Sequence, residues 1–130
     1  MEKKVAKDPI GIQNVNFSCF GKTGNTRENL RLWKKQRLER GFDDTECWNL
    51  DLTICGFVIP RLEVLKQIHH GYPADLGSDE KWCEVIDEMI LAFQIVQEKF
   101  ESFDKWSKEE EQQMQNGLNL FVKYFTNLWD

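Results

Sequence analysis

Apolar residues recur along this chain at three- and four-residue steps, and no stretch sustains the two-residue alternation of a half-buried strand. The clearest run is Trp82, Val85, Ile86, Met89, Phe93, Val96, Phe100 and Phe103, with Glu84, Asp87, Glu88 and Glu98 on the opposite side. Ser78 precedes it as an N-cap, and Asp79 and Glu80 suit the positive end of the helix so opened. A second stripe, Met114, Leu118, Phe121, Val122, Phe125 and Leu128, follows the capping-box pair Ser107 and Glu110. Gly117 interrupts that stripe at a cost of about 1 kcal/mol relative to alanine, which points to a close neighbour.

Further upstream the reading is less regular. Asp43, Asp44 and Thr45 offer a helix start, and Leu52, Ile54, Cys55, Val58, Ile59, Leu62 and Leu65 fall on two faces. A helix apolar on two sides is expected to be buried on two sides. Pro60 meets the carbonyl four residues back, at Gly56, so the spacing predicts one kinked helix or two nearly collinear ones over about 46–70. Gly71 then reads as a left-handed stop and Pro73 as a block to continuation. Thr26 caps a basic helix over about 27–40 that ends at Gly41, with Leu30, Trp33 and Leu38 as its candidates for burial. The expectation is an all-α protein: a bundle of three long helices (about 46–70, 79–103 and 108–128) joined by a basic N-terminal helix. Residues 26–130 form a single helical domain in this reading, after a flexible basic arm over 1–25.

Charge sharpens the picture. Residues 1–41 carry ten Lys/Arg against four Asp/Glu, and residues 42–130 carry seven against eighteen, about +6 followed by −11. The first expectation is that the basic arm folds against an acidic body on its own chain or a neighbour's. The second is that it meets an anionic partner. Nucleic acid is disfavoured because only the first third is basic. The longest uncharged apolar run, Leu52 to Pro60, is under half of the ~20 residues that span a membrane. No apolar leader follows MEKKVAKDP, so a soluble, cytoplasmic protein is expected. The four cysteines, Cys19, Cys47, Cys55 and Cys83, are widely spaced and expected to be reduced thiols.

Candidate chemistry is sparse. "GKTGNT" lacks the first glycine of a phosphate-binding loop and follows no strand. His69 and His70 diverge by about 100° on a helix, and neither has Cys or His three or four residues on. No metal, no cofactor and no catalytic set is therefore expected. Asp51, inside an apolar helix, reads as a buried structural lock. Binding fares better. Short connections at 71–78 and 104–107 make antiparallel hairpins. They bring His70, Tyr72, Trp82, Lys123 and Tyr124 to one pole, together with His69 and Trp129. Aromatic faces beside imidazole and ammonium groups suit a planar anion such as a nucleotide. Tyr72 and Trp82 would stack on a base, His70 and Lys123 would meet oxygens, and Arg31, Lys34 and Lys35 would close over the site.

The words C-W-N-L-D (47–51), I-P-R-L (59–62), H-G-Y-P-A-D-L (70–76), K-W-C-E-V-I-D-E-M-I-L-A-F (81–93) and G-L-N-L-F-V-K-Y-F-T-N-L-W-D (117–130) stand in this order. In them the chain resembles a family of small accessory proteins of tailed bacteriophages and prophages of Gram-positive bacteria, over roughly residues 43–130. The resemblance implies a phage protein working in the host cytoplasm and carries no catalytic residue over. Three modes of action fit that setting. The first is sequestration of a small nucleotide-like signalling ligand in counter-defence. The alternatives are an acidic helical inhibitor that blocks a host protein's surface and a purely structural homo-oligomer.

Overall fold

The computed structural model describes residues 15–18, 25–102 and 105–129, and of Glu101 and Ser102 the backbone alone. Among them the protein is all-α, with no strand. In chain order the helices are α1 (Arg27–Arg40), α2 (Thr45–Trp48), α3 (Leu50–Ile68), α4 (Asp79–Ser102) and α5 (Lys108–Lys123). Single 3-10 turns lie at Ala74–Leu76 and Phe125–Asn127. The chain divides into two compact units, Met1–Gly56 and Phe57–Asp130, with the boundary inside α3. Most of the expected basic arm (1–25), the GKTGNT turn, Cys19 and Phe103 lie wholly or largely outside the described residues.

The first unit is organised by a polar network. Thr26 caps α1 by accepting from the Asn29 N–H at 3.0 Å, and Gly41 ends the helix with φ +87°. That φ favours glycine because a Cβ would meet the adjoining carbonyl. Trp33 and Arg37 are the buried residues of α1, whereas Leu38 is exposed. This reverses the sequence expectation for Leu38. Trp33 and Arg37 share a face at four-residue spacing, and the arginine is buried because Asp43 receives its guanidinium. Asp43 also accepts from Asn16 Nδ2 at 2.6 Å and from the Thr45 N–H at 2.8 Å. Glu46, buried as well, accepts from the Asp43 N–H at 2.8 Å and the Phe17 N–H at 3.1 Å. No buried side-chain polar atom among the described residues lacks a partner.

Asn49, at φ −131° and ψ 81°, separates α2 from α3, so the segment expected as one kinked helix or two collinear ones is broken at Asn49, and Pro60 lies within α3. The Thr53 hydroxyl donates to the Glu46 carbonyl at 2.7 Å and bridges the break. Trp48 meets Trp33 edge to face at 5.7 Å. Gly56 has a packing reason: a Cβ there would come within 2.6 Å of the Phe17 carbonyl oxygen.

The second unit is built on apolar packing. Ser78 caps α4 by accepting from the Lys81 N–H at 3.2 Å. Its buried positions are Trp82, Val85, Ile86, Met89, Ile90, Ala92, Phe93 and Ile95. Val96 is only half-buried and Phe100 is exposed, so the seam is tightest in its first half. α5 runs antiparallel to α4: Phe121 meets Phe93 edge to face at 5.1 Å, and Tyr124 meets Trp82 at 5.7 Å. A Cβ on Gly117 would lie 2.3 Å from the Glu88 carbonyl oxygen and 2.4 Å from Ala92 Cβ, which explains the glycine. The capping box of Ser107 and Glu110 is present, and Lys99 reaches the same Glu110 at 2.8 Å. Lys99 first, then the Ser107 backbone N–H, holds the Glu110 carboxyl below its usual range. Gly71 does not have a positive φ. α3 instead ends at Ile68, with the His69 N–H still bonded to the Leu65 carbonyl at 2.9 Å.

Candidate functional site

Past Ile68 the chain leaves α3 and carries His70, Gly71, Tyr72 and the buried Pro73 toward the short 3-10 turn. Asn127 and Trp129 from the C-terminal turn join those four residues around a concavity of about 330 Å³. Tyr72 is 46% and Trp129 73% exposed, so both rings are presented to solvent. The pole expected from the sequence therefore brings together His70, Tyr72 and Trp129.

Three other expected members do different work. Trp82 is 1% and Tyr124 4% exposed, so neither offers a ring face to a ligand. Tyr124 instead donates its hydroxyl to Asp75 at 2.8 Å. Trp82 packs on Tyr124 because its indole is the largest apolar surface available to close the α4–α5 core. Lys123 stands 5.1 Å from the Tyr124 ring centre and 4.0 Å from Asp75. It borders a separate depression of about 340 Å³ with Glu88, Asn116, Asn119 and Leu120. In the first unit Arg31, Lys34 and Lys35 share an exposed face of α1 with Leu38, around an open depression of about 340 Å³.

Asp51 is exposed, and its carboxylate accepts only from the Leu52 N–H among the bonds described, at 2.9 Å. The buried lock expected there sits eight residues earlier, at Asp43. The reason is local. Asp51 stands in the first turn of α3, where a carboxylate meets unsatisfied backbone N–H groups without leaving water.

A larger concavity was not expected from the sequence. It measures about 680 Å³ and lies between the Phe57–Ile68 part of α3 and the C-terminal residues Phe121, Phe125 and Leu128. Its walls are almost wholly apolar. Phe57, Val64, Ile68 and Phe125 are 46%, 52%, 49% and 60% exposed. The Arg61 guanidinium stacks 3.9 Å from the Phe57 ring centre and donates to the Phe57 carbonyl at 3.0 Å. Phe121 links this groove to the interior, with Phe93 at 5.1 Å on one side and Phe125 at 5.6 Å on the other. The sequence signal existed: α3 is apolar on two faces. One of them, Leu52, Cys55 and Ile59, is buried, and the other, with Val58, Leu62 and Leu65, lines the groove.

His69, Asp79 and Cys83 also converge, across the turn between α3 and α4. His69 Nδ1 lies 3.2 Å from the Leu65 carbonyl, and Nε2 engages the Asp79 carboxylate. The Asp79 hydrogen bond raises the His69 pKa, against a smaller opposing effect of burial. Burial, reinforced by Asp79, pushes the Cys83 thiol up. Both imidazole nitrogens are engaged, so neither is placed to take a proton from the thiol, and a raised thiol is a weak nucleophile. A cysteine–histidine hydrolase arrangement does not fit this geometry.

No protein-family model, curated protein or solved structure matched the chain.

Proposed function

We propose that this protein acts by occupancy, docking an apolar helical segment of another protein in the groove between α3 and the C-terminal turn. The observation that carries the reading is the groove itself: a concavity of about 680 Å³ with mostly apolar walls on a chain of which 30% is charged. Soluble chains rarely leave aromatic surface contiguous and open unless something binds it. The α3 wall from Phe57 to Ile68 is about 16 Å long at 1.5 Å per residue, three helical turns. That length accommodates anchors at i, i+4 and i+7 of an amphipathic helix. In the phage setting that the sequence resemblance implies, the partner would be a host protein held out of its normal assembly. Apolar docking also separates this reading from nucleic-acid mimicry by the acidic surface. Binding through the groove survives raised salt, whereas binding through carboxylates does not.

Charged substitutions test it. Val64→Asp with Phe125→Asp places two carboxylates on exposed positions of the groove wall, so helicity by circular dichroism should be unchanged. Binding of an apolar fluorescent dye and of the captured partner should both be lost. A partner retained at full occupancy by this variant would overturn the reading.

A second reading, sequestration of a nucleotide-like ligand, draws support from the His70, Tyr72 and Trp129 concavity, which is large enough for one base. Stacking on Tyr72 and Trp129 would contribute about 1–3 kcal/mol per base. Thermal-shift screening against cyclic dinucleotides and cyclic oligonucleotides should then give a shift abolished by Tyr72→Ala. No shift with any nucleotide ends this reading.

A further inference from the structure

We propose that His69, Asp79 and Cys83 form a site for one divalent transition-metal ion, with zinc the natural occupant of a nitrogen, oxygen and sulfur donor set. One ligand atom from each residue lies within 4.8 Å of the other two. A tetrahedral zinc with bonds of about 2.0–2.3 Å separates its donors by roughly 3.3–3.7 Å. Closing the difference requires rotation of the exposed Asp79 carboxylate and a turn of the Cys83 side chain.

Three features of the surroundings fit a cation. First, Asp79 and Cys83 stand four residues apart at the start of α4, so the rigid helix presents both on one face. Second, the Leu65 carbonyl at 3.2 Å accepts from Nδ1–H of His69, so Nε2 is the nitrogen that offers a lone pair toward Asp79 once its own proton is displaced. A metal-bound histidine is fixed in the same way, by a backbone carbonyl on its other nitrogen. Third, the imidazole is held in place, its side chain 5% exposed, while Asp79 is 58% exposed. The ion would therefore sit at the solvent edge, replacing the proton between Nε2 and the carboxylate. Asp79, Glu80 and Asp87 surround Cys83 with negative charge, and the nearby Lys66 ammonium is bonded to Asp87 at 2.7 Å. Binding releases the Cys83 thiol proton to solvent and forms a metal–thiolate bond. Three protein ligands leave a fourth position for water, so the site is of the open, exchangeable kind and not a closed structural centre.

Cobalt(II) is the direct probe, because a cobalt–thiolate bond gives a near-ultraviolet charge-transfer band. The full chain carrying Cys47→Ser, which removes an exposed thiol, is titrated with cobalt and then with zinc. The expected result is a band saturating at one equivalent and displaced by zinc. Adding Cys83→Ser should abolish the band, and His69→Gln should weaken binding roughly tenfold or more. Cys83→Ser is the variant less able to disturb the fold, and its helicity is checked by circular dichroism. Absence of the band, or a band that persists in Cys83→Ser, overturns the proposal.

Discussion

The two units of this chain solve the same problem with opposite chemistry. In the first, a charged pair, Arg37 and Asp43, is taken out of water and surrounded by Asn16, Thr45 and Glu46 until every buried side-chain polar atom described has a partner. In the second, Trp82, Ile86, Met89 and Phe93 pack against α5, and the surplus apolar surface continues outward through Phe121 to Phe125. A buried polar network is directional, so it specifies one loop geometry at the cost of desolvation. Apolar packing is not directional, so it extends to the surface without penalty to its neighbours and leaves a groove there. The first arrangement reads as a lock and the second as a place to bind.

The hardest test of the lock is Asp43→Ala. It removes the carboxylate shared by Arg37, Asn16 and Thr45, and breaking a buried pair costs about 3–5 kcal/mol. Urea denaturation should show a loss of that size. A loss under about 1 kcal/mol would mean the network is not a lock at all.

Gly117→Ala probes the second unit's packing. In an isolated helix this change stabilises by about 1 kcal/mol. Here the new methyl would meet the Glu88 carbonyl and Ala92, both fixed on α4. Overpacking of this kind costs about 1–3 kcal/mol, so the net effect should be destabilising, with a lowered thermal midpoint.

Acid should separate the units next. Burial raises the pKa of Asp43, but hydrogen bonds from Thr45, Arg37 and Asn16 outweigh it and hold the carboxyl below its usual value. A carboxyl depressed in the folded state contributes fully above its unfolded pKa of about 3.9, and that contribution is lost as pH falls through the lowered folded value. Stability should therefore drop as pH falls below about 4, and drop less in Asp43→Asn. Equal slopes for the two proteins would contradict the assignment.

Phe125→Asp should change stability least, by about 1 kcal/mol or less, because the ring is already 60% exposed and gives up mainly its edge contact with Phe121. Its effect belongs to binding.

How much of this was legible depended on the range of each interaction. Thr26, Ser78 and Ser107 announce their helices because a cap reaches only three residues along the chain. Gly117 was readable for the same reason: a glycine in a strong helical stripe has few causes besides close approach. The Asp43 network was not readable, since Asn16 stands 27 residues away and α1 had to bury an arginine in preference to Leu38. Asp51 misled because a carboxylate amid apolar neighbours looks buried until the helix start is known. At the candidate pole, His70 and Tyr72 followed from the hairpin topology. The burial of Trp82 and Tyr124 did not, because it depends on how α4 and α5 mesh. The convergence of His69, Asp79 and Cys83 was not legible from spacing along one helix, since it crosses a turn.

Docking in the groove predicts that a partner protein is held there and not at the exposed face of α1. A photo-crosslinking phenylalanine analogue placed at Val64, and in parallel at the exposed Leu38, tests it most directly. The expected result is one stoichiometric cross-linked protein from Val64, insensitive to salt, mapped to an apolar helical segment and lost on adding Phe125→Asp. Equal labelling from Val64 and Leu38, or labelling from Val64 that survives Phe125→Asp, would contradict the account.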